Sequence, residues 1–264
     1  MKSRIISVLL FVTLLLVPDT LSQWKTLEPG IALGTFHSPL YPESTDAQIC
    51  VVKIDPHQHE LHLFNASHPK QGKNLSAKEW ARKEGLKVAI NAAMYQEDYK
   101  SSVSLMRTHG HVNNPRISKD KTVLAFHPRK KKLPPVRIVD MQCDDFENFR
   151  ADYGSMVQSI RMLSCRGKNV WQESQKRWSI ASVGIDSSEN VLFMHVTTPH
   201  SVHEFINVLK KLPLSLKRAM YMEGGSPAQL FMQTDSDTLE FLGNYSSGGR
   251  PTSAPSLPNV LGVR

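Results

Sequence analysis

Short apolar runs of period two, broken by turn residues, dominate the hydrophobic pattern of the chain. Gln48 to Ile54 and Glu60 to Phe64 read as two strands, and Asp55-Pro56-His57-Gln58 between them reads as a hairpin connection. Lys87 to Asn91, Ser102 to Arg107, Thr122 to Phe126, Val136 to Asp140, Met156 to Ser159 and Val191 to Val196 continue the series. The period changes twice. Ser76 and Glu79 form a capping box ahead of Trp80 and Ala81, and Gly85 stops that helix. Ser201 and Glu204 repeat the device, and Val202, Phe205, Ile206 and Leu209 recur at helical spacing before Pro213. A strand then runs through Ala219-Met220-Tyr221-Met222 to Glu223. Gly224-Gly225 turns the chain, and Ala228 to Met232 follows as the expected hairpin partner. Many strands with only two or three helices predict a single α+β domain of mixed or antiparallel sheet. Strand–helix alternation is too rare for a Rossmann or barrel architecture.

Composition refines this picture at the ends of the chain. Lys2 and Arg4 precede an apolar run from Ile5 to Val17, and Thr20-Leu21-Ser22 supplies small residues for cleavage, so residues 1–22 read as a signal peptide. The expectation is a secreted or periplasmic protein with no integral membrane anchor after cleavage. Residues 23–245 read as the domain, and the Ser-, Gly- and Pro-rich stretch 246–264 as an irregular tail. The formal charge of +8 and pI near 9.4 suit acidic partners, such as a phosphorylated glycan or an anionic polysaccharide. The basic run Arg129 to Lys132 lacks interleaved aromatics and reads as a solvated loop, so no nucleic acid is expected. Oligomeric state has no signature in the sequence.

Three cysteines, Cys50, Cys143 and Cys165, are too few for a zinc ribbon. One pair could be bridged, Cys143–Cys165 closing the shorter loop, and the spacing does not choose among the pairs. His109 and His111 would share a face in a strand, yet no carboxylate or cysteine lies nearby at ligand spacing. No phosphate-binding loop, dinucleotide fingerprint or Gly-x-Ser-x-Gly elbow occurs, and neither metal nor cofactor is expected.

Chemistry concentrates at strand ends. Glu223 closes a strand, on the face of Ala219 and Tyr221, with Met220 and Met222 on the other. Gly224 and Gly225 behind it are expected to leave N–H groups free for an anion. Asn91 ends another strand and can both donate and accept. Gln158 and Ser159 end a third, and Arg161 beyond them is a candidate phosphate clamp.

Ala89-Ile90-Asn91-Ala92-Ala93-Met94-Tyr95, Val157-Gln158-Ser159, Val183-Gly184-Ile185-Asp186 and Ala219-Met220-Tyr221-Met222-Glu223-Gly224-Gly225-Ser226 occur in that order. Together they resemble the phosphodiester glycosidase family over roughly residues 45 to 235. The family includes an enzyme that removes N-acetylglucosamine from phosphate-masked mannose, and many exported bacterial proteins. The resemblance places the family's Asn-containing motif on Asn91 to Tyr95, with Ala93 where glycine is usual, and so adds Met94 and Tyr95 to the site. Its Gln-Ser-Gly-Pro motif falls on Gln158 and Ser159, followed here by Ile160 and Arg161. Its Asp-Gly-Gly falls on Glu223-Gly224-Gly225. Its arginine falls on Ile180, so that Arg177 or Arg161 would have to reach the same space.

The resemblance implies hydrolysis of a sugar-1-phosphodiester, with Glu223, Asn91 and Gln158 as catalytic residues. Gly224, Gly225, Ser226, Ser159, Arg161, Met94, Tyr95 and Arg177 would bind substrate. A non-catalytic binder of phosphorylated glycans using the same cavity is the alternative, and a general phosphodiesterase is a third reading.

Overall fold

The computed structural model describes residues 24–44, 47–234, 237–245 and 253–264. The expected signal peptide lies outside them. Among the described residues no helix is long and apolar enough to cross a membrane.

Two antiparallel sheets make up most of the fold. The larger begins with β1 (Trp24–Glu28), β2 (Ile31–His37) and β3 (Gln48–Ile54). The smaller begins with β4 (Leu61–Asn65), followed by helix α1 (Ala77–Glu84) and β5 (Val88–Asn91). The chain returns to the larger sheet with β6 (Met106–Thr108), β7 (His111–Asn114), β8 (Thr122–Pro128) and β9 (Val136–Asp140). After the short helix α2 (Phe146–Arg150) come β10 (Tyr153–Arg161), β11 (Trp178–Asp186) and β12 (Val191–His200). Helix α3 (Val202–Leu209) leads to β13 (Leu216–Gly224). The smaller sheet is completed by β14 (Gln229–Gln233), β15 (Thr238–Leu242) and β16 (Asn259–Val263).

The larger sheet runs β1-β2-β3-β12-β11-β13-β10-β6-β7, with β8 also pairing with β10 and β9 with β8. The smaller sheet runs β15-β14-β5-β16-β4. The molecule is thus largely β, with three short helices among the described residues.

Period-two alternation explains how the sheets stack. In β5, Val88 and Ile90 face a central core together with Leu230 and Met232 of β14, Leu261 of β16, Val183 of β11 and Met220 and Met222 of β13. The alternate residues Ala89, Phe231 and Val260 pack outward against Trp80 and Ala81 of α1. On the other side of the larger sheet, Ala219 and Tyr221 join Phe205, Ile206 and Leu209 of α3. The layers are therefore α1, smaller sheet, larger sheet, α3. Both helices have their expected caps, with Ser76–Glu79 and Ser201–Glu204 boxes and a left-handed Gly85 closing α1.

Two expected hairpins are not hairpins. β3 pairs with β2 and β12, whereas β4 pairs with β16, so the Asp55–Gln58 turn carries the chain from one sheet to the other. β13 and β14 are likewise in different sheets. A tight turn signals reversal of direction but not the sheet that the next strand joins, and here burial of both inner faces decides. Of the expected strand from Ser102 to Arg107, regular pairing begins only at Met106. The irregular C-terminal tail also needs correction. β16, at residues 259–263, is fully buried and sits between β5 and β4 in the smaller sheet. Its alternating Val260, Leu261 and Val263 pack on both faces, which the preceding Ser- and Pro-rich composition concealed.

Cys143 and Cys165 are bonded across a Cα separation of 6.3 Å. Cys50 is a buried free thiol whose pKa burial pushes up to about 12. The basic run lies in the exposed β8–β9 connection, where Lys130 pairs with Asp152 at 2.6 Å. Asn65, although followed by the sequence Ala-Ser, is buried and donates to Asn259 Oδ1 at 2.8 Å.

Leu261→Ala tests the place of the last strand. A loss of about 2–4 kcal/mol in urea unfolding is expected for a buried inter-sheet leucine, against almost none for a residue of a loose tail.

Candidate functional site

β13 delivers Glu223 to the end of the larger sheet, where the chain crosses to the smaller one. The pairing with β11 sets Ser182 opposite Tyr221 and Ala181 opposite Glu223, skipping Met222. This bulge re-aims the side chain at the strand end, as bulges beside functional sites often do. The carboxylate is largely buried, and burial pushes its pKa up to about 7, against a smaller opposing effect from the Gly224 N–H, which donates to Oε1 at 2.9 Å.

The surroundings are aromatic. Tyr221, Tyr95 and Tyr245 all have phenol pKa values raised by burial first and by the charge of Glu223 second. Trp178 Nε1 donates to Tyr221 Oη at 3.1 Å, and the Trp171 ring lies 5.4 Å from that of Tyr221. The two glycines are what let these rings close in. A Cβ on Gly224 would lie 2.1 Å from the Trp178 indole, and one on Gly225 would lie 2.0 Å from the Tyr245 ring. Gly225 also has φ +68°, a left-handed conformation unfavourable to other residues.

The glycine amides are not free, contrary to the expectation of an open anion nest. Gly224 N–H serves Glu223 itself, and Gly225 N–H donates to Ser179 O at 2.9 Å. Ser179 is a hub for this corner: its N–H donates to Asn244 O at 2.9 Å, and its Oγ accepts from Asn244 N–H at 2.7 Å. It thereby holds the segment leading to Tyr245. Ser226 lies half-buried in the turn. Beyond it, Ala228 O accepts from His195 Nε2 at 3.1 Å. Burial drops the pKa of His195 to about 4, so the ring is neutral.

Asn91 reaches this corner from the smaller sheet. Its Oδ1 accepts from Gln229 N–H at 3.1 Å, just beyond the turn, and its buried Nδ2 has no hydrogen-bond partner among the described residues. Asn91 is followed by Ala93 at φ +57°, which accounts for the usual glycine at that position. Met94 packs against the α3-side core, and Tyr95 bridges to Ser102.

The remaining candidates are committed elsewhere. Gln158 Oε1 accepts from Leu105 and Ser118 N–H, and its Nε2 donates to Ser118 and Asp120 carbonyls, so the amide clamps a loop. Ser159 Oγ donates to Tyr221 O and ties β10 to β13. Arg161 contacts both oxygens of the fully buried Asp140 at 3.2 Å. It lies opposite Met220 in the register, on the other face from Tyr221. Arg177 is fork-paired with Glu204 of the α3 capping box, which drops the Glu204 pKa to about 2. Ile180 is fully buried opposite Gly224 and puts no charge there.

Sequence reasoning missed Trp171, Trp178 and Tyr245, which the fold brings to this corner from distant parts of the chain, and His195 behind the turn, none of which leaves a linear signal. Tyr221, two residues before Glu223, and Tyr95, which the family resemblance brought in, were the legible members of the aromatic wall. A groove of about 200 Å³ lined by Arg137, Ile185, Glu189 and Arg218 is a separate feature. It sits at the opposite end of β13, roughly 17 Å from Glu223 by strand rise.

Comparison with known proteins accords with this arrangement. The chain matches the phosphodiester glycosidase family over residues 84–264, well over half its length. It belongs to that family. No curated protein sequence matches it. Among solved structures, it is similar to the catalytic domain of zebrafish N-acetylglucosamine-1-phosphodiester alpha-N-acetylglucosaminidase, auto-inhibited by its pro-peptide. That likeness has TM-score 0.67 and 11% identity, covering 90% of this chain and 85% of the other. A Synechocystis protein of unassigned function is similar at TM-score 0.56 and 15% identity, covering 89% of this chain and 62% of the other. A Burkholderia pseudomallei protein described as exported follows at TM-score 0.54 and 9% identity, covering 82% and 74%. At such identities the likeness to these three is one of fold.

Glu223 predicts a pH signature independent of any substrate. A carboxyl that holds its proton up to about 7 when folded, against 4.5 as its ordinary value, stabilises the fold at low pH. That contribution is lost as pH rises through this window. Glu223→Gln should therefore raise stability over wild type by on the order of 1–3 kcal/mol at pH 8, and by much less at pH 4. Thermal unfolding across pH measures it, and parallel wild-type and variant curves would refute the assignment.

Proposed function

We propose that the protein hydrolyses a sugar-1-phosphodiester, with Glu223 as its acid–base group. The observation that carries this reading is a carboxyl held at a strand end among aromatic rings, with a pKa near neutrality. Such a group is present in both protonation states at physiological pH, as acid–base catalysis requires. Protonated Glu223 donates to the bridging oxygen as the bond from the sugar anomeric carbon to that oxygen breaks, releasing the phosphate monoester. The carboxylate then takes a proton from the water that attacks the oxocarbenium-like carbon. One carboxyl suffices because phosphate is a good leaving group.

The aromatic residues Tyr95, Trp178 and Tyr245 fit the apolar faces of a sugar ring. Asn91 acts on the crossing itself, its Oδ1 holding the Gln229 N–H just beyond the turn. Gln158 and Ser159 act on the strands and loop that hold the pocket, and Arg161 and Arg177 through the carboxylates they pair with. A glycan of an exported or envelope compartment is the substrate class this implies.

A second reading has its own observation. With both arginines ion-paired, Ile180 apolar and both glycine amides engaged, the described pocket offers the phosphate no strong cation. A protein that holds such a glycan by its sugar faces, with no leaving phosphate to stabilise, fits this arrangement.

Hydrolysis of a GlcNAc-1-phosphate diester by purified protein decides between them. The expected outcome is turnover that falls at least 100-fold in Glu223→Gln, with the unfolding transition retained. Equal rates in both proteins would remove Glu223 from the mechanism, and saturable binding without turnover would select the binding protein.

A further inference from the structure

Among the described residues only two phenylalanine, tyrosine or tryptophan side chains are exposed, Tyr99 at 60% and Tyr245 at 63%. Both stand at the corner that holds Glu223. The Tyr99 ring lies 5.7 Å from that of Tyr95. The Tyr95 phenol is raised in pKa by burial first, then by the neighbouring Glu223, Tyr245 and Tyr99. Tyr245 packs on Gly225, and Met94, next to Tyr95, shares the apolar cluster of Tyr221, Trp171 and Trp178. Aromatic surface therefore runs outward from the carboxyl, from buried Tyr221 through half-buried Tyr95 to exposed Tyr99.

The loop that carries Tyr99 is tightly built. Tyr99 has φ +53°, an uncommon conformation for a residue with a bulky side chain. Asp98 Oδ1 accepts from the N–H groups of Lys100 and Ser101, both at 2.9 Å, and its Oδ2 accepts from Ser101 Oγ at 2.6 Å. Tyr99 N–H donates to Gln96 O at 3.0 Å, and Tyr99 O accepts from Asn74 Nδ2 at 2.7 Å. The ring is thus held out to water on a fixed backbone, and a ligand that stacks on it has little loop entropy to remove.

We propose that Tyr99, with the outer side of Tyr95, forms a second sugar subsite, which stacks on a sugar ring carried by the leaving phosphate. The side of the diester it serves rests on the hydrolytic reading above. Glu223 must reach the bond to the anomeric carbon, so the sugar that is cut off takes the enclosed end of the corner, among Tyr95, Trp178 and Tyr245. What leaves with the phosphate points to water, along Tyr99. A tyrosine there offers an apolar face to the ring and a hydroxyl to its rim. A lipid tail would need continuous apolar surface, and exposed Glu97, Asp98 and Lys100 on either side of Tyr99 interrupt it. The subsite therefore selects substrates whose phosphate carries a further sugar over those that carry a lipid or a simple alcohol.

The test compares two diesters of GlcNAc 1-phosphate, one with methanol and one with the 6-hydroxyl of methyl mannoside, on the full mature protein. Turnover gives kcat/KM, and calorimetry on Glu223→Gln gives Kd without hydrolysis. The sugar diester should be preferred at least tenfold, through KM. Tyr99→Asn removes the ring and tolerates the left-handed backbone. It should cut the preference at least fivefold, both in kcat/KM and, combined with Glu223→Gln, in Kd, whereas Tyr99→Trp should retain it. Thermal unfolding of both variants should match wild type, as the exposure of Tyr99 implies. No preference in the parent protein, a preference untouched by Tyr99→Asn, or an equal loss on both diesters would overturn the subsite, and Glu223-dependent turnover of the methyl diester would still uphold hydrolysis. A Kd preference lost in Tyr99→Asn, with no turnover by wild type, would uphold the subsite and overturn hydrolysis instead.

Discussion

The apolar seam between the two sheets is the constraint on which the rest of the molecule depends. Neither sheet can bury its inner face alone, and the seam is built from alternate residues of strands far apart in sequence, such as Val52, Ile90, Val183, Met220 and Leu261. At about 25 cal/mol per Å² of apolar surface removed from water, this burial is the main force that holds the layers together. The chain crosses to the smaller sheet directly after Glu223, whose carboxyl is held largely out of water at that strand end.

Much of the site's polar apparatus then turns out to be framework. Gln158 holds a loop through four backbone contacts, Ser159 joins two strands, and Arg161 neutralises the buried Asp140. Short sequence motifs can be shared within a family for the geometry they enforce around a reacting group as much as for contact with the substrate. Asn91 belongs with them, its amide oxygen spent on the turn.

The legibility of the sequence follows the range of the forces involved. Both capped helices were readable because a capping box and its apolar face lie within a few residues of each other. Most strands were readable for the same reason, as was Glu223 at the end of one. Sheet membership was not, since Asp55–Gln58 and Gly224–Ala228 look like hairpin turns whichever sheet follows. The last strand was masked by the composition of the residues before it. The aromatic wall was lost because Trp178 and Tyr245 meet the glycines through contacts far apart in sequence. The engagement of the Gly224 and Gly225 amides was equally invisible, since their partners are a side chain and a distant carbonyl.

The crossing after Glu223 is a poor place for an insertion. Surface turns usually accept inserted residues at little cost, because loop entropy grows slowly with length. The segment from Gly224 to Ala228 spans two sheets packed about 10 Å apart, and is bonded at both ends, through Gly225 to Ser179 and Ala228 to His195. It has no slack. An extra residue there would shift Glu223 against its aromatic wall and β14 against β5 at once.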